Sequence, residues 1–213
     1  MAAHRYWRLY VTAVDGSTEY ASVGEFALFS ESIGGTNLAV GKTATQSGNQ
    51  VIGSAANAID GDGGTEAGSS FPLPWWLAVD LGSGGAADIK RFEISAQRVV
   101  PNRSPKDFKI QWSDDGTTWT DQATFTGQTG WTQYESRSFA TVSATYSGVT
   151  DLLGVTVRAH NRATGTPLAQ TTSDAVTGAY SLTVGYDGEC YIVALDDAGG
   201  ITYNDKIARV MPA

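Results

Sequence analysis

Apolar and aromatic residues recur along the chain in short runs whose spacing is that of β-strands. In Phe108-Lys109-Ile110-Gln111-Trp112 the apolar side chains occupy every second position, the pattern of a strand with one buried face. No segment sustains the 3.6-residue period of a helix, and only a short helical turn is expected, around Ser54 to Ile59. The pattern therefore predicts an all-β protein. Further strands are predicted at Tyr6–Val11, Gly24–Phe29, Trp76–Leu81, Arg91–Ser95 and Tyr191–Leu195.

Asp-Gly pairs separate these runs and supply positions where the backbone can turn with positive φ. They include Asp15-Gly16, Asp60-Gly61, Asp115-Gly116 and Asp187-Gly188. The strands are rich in aromatic residues before a seam near Val142 to Gly148, and they follow one another more closely after it. We therefore predict two β-sandwich domains, over residues 1–142 and 143–213.

The composition narrows the range of partners and compartments. With 41% hydrophobic and 17% charged residues, the chain is globular rather than disordered. Its net charge of −8 repels a phosphate backbone, so no nucleic-acid partner is expected. Cys190 is the single cysteine, which excludes an intrachain disulfide. The N-terminus lacks an apolar leader, and no run approaches the roughly 18 apolar residues of a membrane span, so synthesis in the cytoplasm without a membrane anchor is predicted.

A series of segments in the first predicted domain follow one another in a recognisable order. They are Asn37–Ser47, Ala55–Asp62, Trp75–Gly82, Ile89–Ile94 and Arg103–Trp119. Together they resemble a discoidin, or coagulation-factor C-type, domain. The resemblance implies a jelly-roll-like β-sandwich of the galactose-binding class for residues 1–142.

Two further segments, Arg5–Thr12 and Ser22–Phe29, resemble the pair that closes the domain in this family, yet here they open the chain. The resemblance therefore implies a circularly permuted domain, with Ser32–Thr36 as the joining loop. Such a rearrangement costs little where the usual termini lie close together. The alternative is that the opening strand belongs to an unrelated N-terminal element.

The segments Gly178–Leu182 and Tyr191–Asp197 carry a second resemblance. Residues 146–212 are similar to small transthyretin-like or carboxypeptidase-regulatory-like sandwiches of phage tail and other virion proteins. The expected fold is thus a jelly-roll-like sandwich followed by a smaller immunoglobulin- or transthyretin-like sandwich. The resemblance also implies a location in the virion, in a phage tail produced in the host cytoplasm. Other tail proteins and further copies of the chain are the implied partners.

The glycine-rich loop Asp60-Gly61-Asp62-Gly63-Gly64-Thr65 places oxygen donors at alternate positions, an arrangement that suits Ca²⁺. In the resembling glycan-binding modules a matching loop and a Glu of the terminal strand hold a structural calcium ion, and Glu25 matches that Glu. The resemblance thus implies a calcium site with Asp60, Asp62, Thr65 and Glu25. The alternative is a metal-free Asp-Gly turn. The family has Asn where Asp62 stands, and a Trp after the Thr that is missing here.

The resemblance also implies a glycan site on loops at one end of the sandwich. Arg98 and Arg103 could donate paired hydrogen bonds to sugar hydroxyls or to a sugar carboxylate. Trp131 is the candidate platform for a sugar ring, with Trp75 and Phe71 as alternatives. The loops concerned are Thr45–Asn49, Ala67–Pro74, Gln97–Arg103 and Gln128–Tyr134. Three other tryptophans, Trp76, Trp112 and Trp119, are predicted to lie in the core.

Residues for catalysis are sparse. His4 and His160 are the only histidines and fall in different predicted domains, and no nucleophile elbow is visible. The acidic pairs Asp114-Asp115 and Asp196-Asp197 lie in or beside turns, where Asp serves the backbone. We therefore predict that the chain is not an enzyme. The favoured function is a virion protein that binds host-surface polysaccharide. A purely structural tail or decoration subunit is the alternative, and a depolymerase comes third.

Overall fold

A computed structural model describes residues 2–142 and 144–195, together with the backbone of the strand at 206–210. The chain is all-β, which confirms the predicted fold class, and a 3₁₀ turn at Ala55–Ala58 is the predicted short helical turn. The second acidic pair, Asp196-Asp197, lies outside the described residues. The strands are β1 (Tyr6–Val14), β2 (Tyr20–Val23), β3 (Glu25–Phe29), β4 (Thr43–Gln46), β5 (Ala67–Ser70), β6 (Trp75–Asp80), β7 (Arg91–Ser95), β8 (Pro105–Ser113), β9 (Thr120–Phe125), β10 (Ser136–Ala140), β11 (Ala144–Val149), β12 (Thr156–Asn161), β13 (Pro167–Thr172), β14 (Ala179–Val184), β15 (Cys190–Leu195) and β16 (Lys206–Val210).

The contacts divide the chain into two compact units, Met1–Thr141 and Val142–Ala213. The first unit contains a five-stranded sheet in the order β4-β6-β1-β8-β9, a three-stranded sheet in the order β10-β7-β3, and the pair β2-β5. The opening strand β1 lies between β6 and β8 and pairs antiparallel with both. It is therefore an integral strand of the first unit. Circular permutation relative to the family stays a prediction.

Alternation along β1 gives the five-stranded sheet two different faces. Trp7, Leu9 and Val11 are almost completely buried, whereas Tyr6, Arg8 and Tyr10 are only partly buried. Successive side chains of a strand point to opposite faces of the sheet. The first set therefore faces the core, and the second set faces outward.

Phenylalanine rings form the centre of the core of the first unit. Phe92 is fully buried on β7 and meets Phe26, Phe108, Phe125 and Phe139 at centroid distances of 5.2 to 6.2 Å. Offset and edge-to-face contacts at such distances are favourable beyond the area they bury. Because these rings come from strands of both larger sheets, the cluster joins the two layers of the sandwich.

The second unit contains the pair β11-β14 and a four-stranded sheet in the order β13-β12-β15-β16. Tyr146 is fully buried, and its hydroxyl donates to the carbonyl oxygens of Gly188 at 2.6 Å or Tyr186 at 3.1 Å. Cys190 is a buried free thiol at the start of β15, as the alternating sequence predicts. Burial raises the pKa of the Cys190 thiol. The cysteine thus behaves as a small core residue.

Two of the three tryptophans predicted to lie in the core do not. Trp112 is partly buried and packs against the core of the first unit. Trp76 and Trp119 are also partly buried, but they border a depression on the outer face of the five-stranded sheet. The prediction for Trp76 and Trp119 is therefore wrong. Trp76 directly follows the buried Trp75, so alternation along β6 turns it outward.

Candidate functional site

A cavity of about 430 Å³ opens at the end of the first unit where β4 ends and β6 begins. We call it the loop-end cavity. Its walls come from two of the loops predicted to form a glycan site, after β4 and between β5 and β6. The lining residues are Ser47, Gly48, Asn49, Ser69, Ser70, Phe71, Pro72, Pro74 and Trp75.

Asn49 connects the two loops. Its side-chain oxygen accepts from the Ser69 hydroxyl at 3.0 Å and from the Ser70 backbone N–H at 3.2 Å. Its side-chain nitrogen donates to the Ser70 hydroxyl oxygen at 2.7 Å. Next to it, Gly48 has a φ of +83°, and a β-carbon there would stand 1.9 Å from Oγ of Ser69. Only glycine therefore permits this close approach of the loops.

Hydrogen-bonding capacity remains in the loop-end cavity after these internal bonds. The hydroxyl oxygen of Ser47 accepts a hydrogen bond from the Trp76 backbone N–H. The hydroxyl oxygen of Ser70 accepts one from the side-chain amide of Asn49. Within residues 2–142, neither hydroxyl hydrogen has an acceptor. Hydroxyl groups held in place with a spare donor are suited to bind the hydroxyls of a sugar.

Phe71 and Trp75 lie at the loop-end cavity but differ in exposure. Phe71 is partly buried and packs against the core, and its backbone N–H donates to the Glu19 carbonyl at 2.7 Å. Trp75 is only 2% exposed, and its indole N–H donates to Oε1 of Gln46 at 3.1 Å. Because Phe71 is the more exposed of the two rings, it offers the apolar wall, whereas the buried Trp75 supports the cavity from beneath. The peptide bonds Phe71-Pro72 and Leu73-Pro74 in this loop are both cis.

Neither predicted arginine lines the loop-end cavity. The guanidinium of Arg103 lies 4.5 Å from the centroid of the Tyr20 ring, on the strand that pairs with β5. Arg98 is exposed in the loop after β7. Arg103 is thus held against the sandwich by a cation–π contact. The structure gives no contact that brings either arginine together with Asn49 or Phe71.

Trp131 is buried, so the structure corrects its predicted role as a platform for a sugar ring. It is 5% exposed, and its indole N–H donates to the carbonyl oxygens of Pro105 at 3.0 Å or Gln128 at 3.2 Å. The guanidinium of Arg137 covers the ring at 4.0 Å from its centroid. A ring enclosed on these sides cannot stack on a sugar, and Trp131 belongs to the core.

The acidic loop predicted to hold calcium comes together around Glu25. Oε1 of Glu25 accepts from the Gly61 backbone N–H at 2.9 Å. Oδ2 of Asp60 accepts from the Thr65 hydroxyl at 2.9 Å, and that hydroxyl is also 2.9 Å from the carbonyl oxygens of Asn57 and Asp62. Burial and the neighbouring Asp60 carboxylate raise the pKa of Glu25 to about 7.

Asp62 takes a different part in the loop from the one predicted. Its carboxylate accepts from the Gly64 backbone N–H at 2.8 Å within the loop, while its carbonyl oxygen faces the Thr65 hydroxyl. Within the described ranges, no group of three or more His, Cys, Asp or Glu side chains is placed to hold a metal. A cation here would therefore depend on two carboxylates together with carbonyl and hydroxyl oxygens, donors that Ca²⁺ accepts.

The two histidines occupy structural positions. Nδ1 of His4 lies 3.0 Å from Oδ1 of Asp114, and its ring stacks on Trp112 at 3.5 Å between centroids. His160 belongs to the second unit, where its ring stacks on Tyr191 at 4.9 Å. Each imidazole thus has an aromatic ring as its neighbour.

Sequence reasoning found the loops of the cavity but not its central residue. Asn49 falls within the predicted segment Thr45–Asn49. The local signal is the polar run Gln46-Ser47-Gly48-Asn49-Gln50 at the end of β4, but this run does not show that Asn49 reaches Ser69 and Ser70.

Among the described residues, no helix is both long enough and apolar enough to cross a bilayer. Residues 57–149 match the family model of the NedA-like, galactose-binding domain. The matched region includes β5, β6 and the second wall of the loop-end cavity, whereas Ser47–Asn49 precede it. A search of curated proteins finds no match. This region is thus similar to a galactose-binding-like domain, a class that binds carbohydrate or protein.

Proposed function

We propose that the chain is a non-enzymatic glycan-binding protein and that the loop-end cavity is its sugar site. The observation that carries the proposal is the pairing in one cavity of the Asn49 network with the wall of Phe71. A few fixed polar groups beside an aromatic wall form the usual composition of a small-ligand site. The match of residues 57–149 to a galactose-binding domain model supports the same reading.

The chemistry of the loop-end cavity favours a neutral sugar. Its nine lining residues are serine, glycine, asparagine, proline and aromatic residues, without a charged side chain. A sugar carboxylate would lose its hydration there without gaining a cation. Hydroxyl groups, in contrast, would find the Ser47 and Ser70 hydroxyls. The predicted role of Arg98 and Arg103 in binding an acidic sugar therefore does not carry over to this cavity.

Asn49→Ala is expected to weaken binding of lactose, a neutral galactose-containing disaccharide, by about tenfold, or about 1.4 kcal/mol. The substitution removes the amide that holds the two walls together and presents polar atoms to the ligand. Phe71→Leu is expected to have a similar effect, because it keeps the apolar contact with the core and removes the flat ring. Titration of the full chain by isothermal calorimetry measures both.

Arg98→Ala is the matched control, since Arg98 is an exposed loop residue outside the lining. Lactose affinity should be unchanged in this variant. Thermal unfolding of each variant shows whether the fold is retained. If lactose binds equally well to the wild type and to a folded Asn49→Ala protein, the loop-end cavity is not the site.

The second part of the proposal is a structural calcium ion in the acidic loop Asp60–Thr65. We propose that the loop holds a structural Ca²⁺ through the carboxylates of Glu25 and Asp60 and through carbonyl and hydroxyl oxygens near Thr65. Burial and the neighbouring Asp60 carboxylate raise the pKa of Glu25 to about 7, and a divalent cation bound by both carboxylates would offset these unfavourable contributions. The ion would fasten β3 to the loop before β5.

Added Ca²⁺ is expected to stabilise the first unit by about 2.7 kcal/mol at a concentration one hundred times its dissociation constant. Glu25→Gln should abolish this response, because it removes a carboxylate that the cation needs. Asp62→Asn should keep it, since the Asp62 carboxylate serves the backbone of its own loop. Thermal unfolding with Ca²⁺ or chelator measures the shift. If the thermal unfolding midpoint of the wild type is the same with Ca²⁺ and with chelator, the calcium site is contradicted.

The setting of this binding activity is also proposed. From the resemblance of residues 146–212 to small sandwiches of virion proteins, we propose a place in a phage tail, with host-surface polysaccharide as the ligand and other tail proteins and further copies as neighbours. Repetition of a weak sugar site in an assembly would raise the overall affinity. A purely structural subunit without a sugar ligand is the alternative, and the lactose titration distinguishes the two.

A further inference from the structure

The outer face of the five-stranded sheet carries a depression of about 220 Å³ that is separate from the loop-end cavity. We call it the sheet-face depression. Ala78 forms its floor, between Arg8 on β1 and Thr45 on β4 in the register of the sheet. Trp76 and Asp80 flank Ala78 on the same face of β6, and Trp119 and Tyr6 add further walls. The depression exists because the side chain of Ala78 is small and those of Trp76, Trp119 and Tyr6 around it are large.

Arg8 is held rigidly at the edge of this depression. Its Cζ atom lies 4.2 Å from the centroid of the Trp119 ring and 5.0 Å from that of Tyr10. Its Nε donates to Oε1 of Gln111 at 2.6 Å. Its Cζ atom also lies 5.9 Å from the centroid of the Trp76 ring. Three aromatic contacts and one hydrogen bond fix the plane of the guanidinium, so little further ordering is needed when a ligand arrives.

Within the described residues Arg8 forms no direct ion pair, although the Asp121 carboxylate attracts its charge from further away, whereas the neighbouring cations are paired directly. Arg5 donates two hydrogen bonds to Asp80, both at 2.7 Å, and Lys109 donates to Asp121 at 2.6 Å. In the part of the chain that the structure describes, Arg8 forms no ion pair, and its two terminal nitrogens donate no hydrogen bond. A guanidinium with free terminal nitrogens can bind a carboxylate through two parallel hydrogen bonds.

We propose that the sheet-face depression is a second ligand site, for a pyranose ring that bears a carboxylate, such as a uronic-acid unit of a polysaccharide. The carboxylate accepts hydrogen bonds from the terminal nitrogens of Arg8, and the sugar ring lies against Trp76. The hydroxyls of Thr43 and Thr45 lie on the opposite rim and can bind ring hydroxyls. The volume is below the roughly 300 Å³ at which sites for drug-sized ligands begin, which fits a single ring.

This site differs from the loop-end cavity in the chemistry it selects. The loop-end cavity has no charged side chain in its lining and favours a neutral sugar, whereas the sheet-face depression has an unpaired cation. The chain as a whole carries a net charge of −8 and repels polyanions at long range. Binding of an acidic sugar must therefore come from the local contact with Arg8.

The experiment is a titration of the full chain with trigalacturonate and, separately, with its methyl ester, followed by NMR. The six indole N–H signals report the two sites individually, since Trp76 and Trp119 border the sheet-face depression and Trp75 borders the loop-end cavity. Trp76→Phe and Trp119→Phe assign the two signals. We expect trigalacturonate to shift the signals of Trp76 and Trp119, and the ester to bind at least tenfold more weakly.

Two substitutions test the contacts in different ways. Arg8→Gln removes the charge, and Ala78→Leu fills the floor without changing any charge; each should weaken binding of trigalacturonate at least tenfold. Arg98→Gln is the matched control, because it removes an exposed cation of the first unit that lies outside the depression and should leave the affinity unchanged. The indole spectrum of each variant shows whether the first unit is folded.

The outcomes separate this site from the proposed sugar site. Asn49→Ala should leave trigalacturonate binding intact, and Arg8→Gln should leave lactose binding intact. The inference is overturned if trigalacturonate does not bind the wild type, if acid and ester bind equally, or if a folded Arg8→Gln protein binds as tightly as the wild type. Shifts confined to Trp75 would place the acidic sugar in the loop-end cavity and also overturn it.

Discussion

Phe92→Ala is expected to destabilise the first unit by about 3–5 kcal/mol, a range typical of the removal of a buried phenylalanine from a core. The ring is fully buried and stacks at 5.2 Å on Phe139, with edge-to-face contacts to Phe108 and Phe125 at 6.2 and 5.4 Å. Alanine would leave a cavity at the centre of the contact between the two larger sheets. Since domain stabilities are about 5–15 kcal/mol, the loss approaches the whole stability of a weak domain.

Urea denaturation followed by tryptophan fluorescence measures this effect without interference from the second unit. All six tryptophans precede residue 142, so the signal comes from the first unit alone. Phe92→Leu is the control, because it retains most of the buried volume and should cost clearly less than alanine. A loss below about 1 kcal/mol for Phe92→Ala would show that this ring is not central to the core.

Trp131→Ala is expected to cost a similar amount, about 3–5 kcal/mol, as a change in stability and not primarily in sugar binding. The indole is 5% exposed, donates to the Pro105 carbonyl at 3.0 Å and lies under the guanidinium of Arg137. Its removal would open a cavity beneath the loop that precedes β10 and would leave a buried carbonyl without this donor.

Trp131→Phe provides the sharper test of the two roles considered for this residue. It keeps an aromatic ring but loses the hydrogen bond, so we expect a loss of about 1–3 kcal/mol in urea denaturation and unchanged lactose affinity in calorimetry. If a folded Trp131→Phe protein no longer binds lactose, Trp131 is part of the sugar site after all. Full stability of Trp131→Ala would equally contradict its place in the core.

The two proposed sugar sites depend on the same sheet in different ways. Trp75 and Trp76 are adjacent on β6, and one supports the loop-end cavity while the other borders the sheet-face depression. Because the strand alternates, a single dipeptide serves both sites from opposite faces.

Periodicity in the sequence was sufficient for the fold class and for several of the strands. Phe108 and Ile110 are buried on β8, and Lys109 faces outward, as the alternation predicts. The loops after β4 and before β6 were also found, through the family resemblance. Alternation alone, however, cannot tell which face of a sheet is covered. Trp76 on β6 therefore faces outward and not into the core, and Trp119, which lies between β8 and β9, borders the same outer face.

The acidic loop shows the same division between local pattern and tertiary contact. The run from Asp60 to Thr65 is recognisable as a tight loop from its glycines and carboxylates. The distance to Glu25, 36 positions away from Gly61, depends on the fold that brings β3 to the loop. The turn of the Asp62 carboxylate towards the Gly64 N–H could not be read from the spacing either.

By itself, the sequence determined that this protein is all-β and where several of its strands lie. These properties follow from side-chain periodicity and turn residues, which act over a few neighbouring positions. The loops of the candidate sugar site were implied by the family resemblance. Only the tertiary structure decided that Trp131 is buried, that Asn49 joins two loops and that Arg8 lies beside Ala78 without a direct ion pair among the described residues. Each of these depends on contacts between strands distant in sequence, and those contacts are set by sheet order and register.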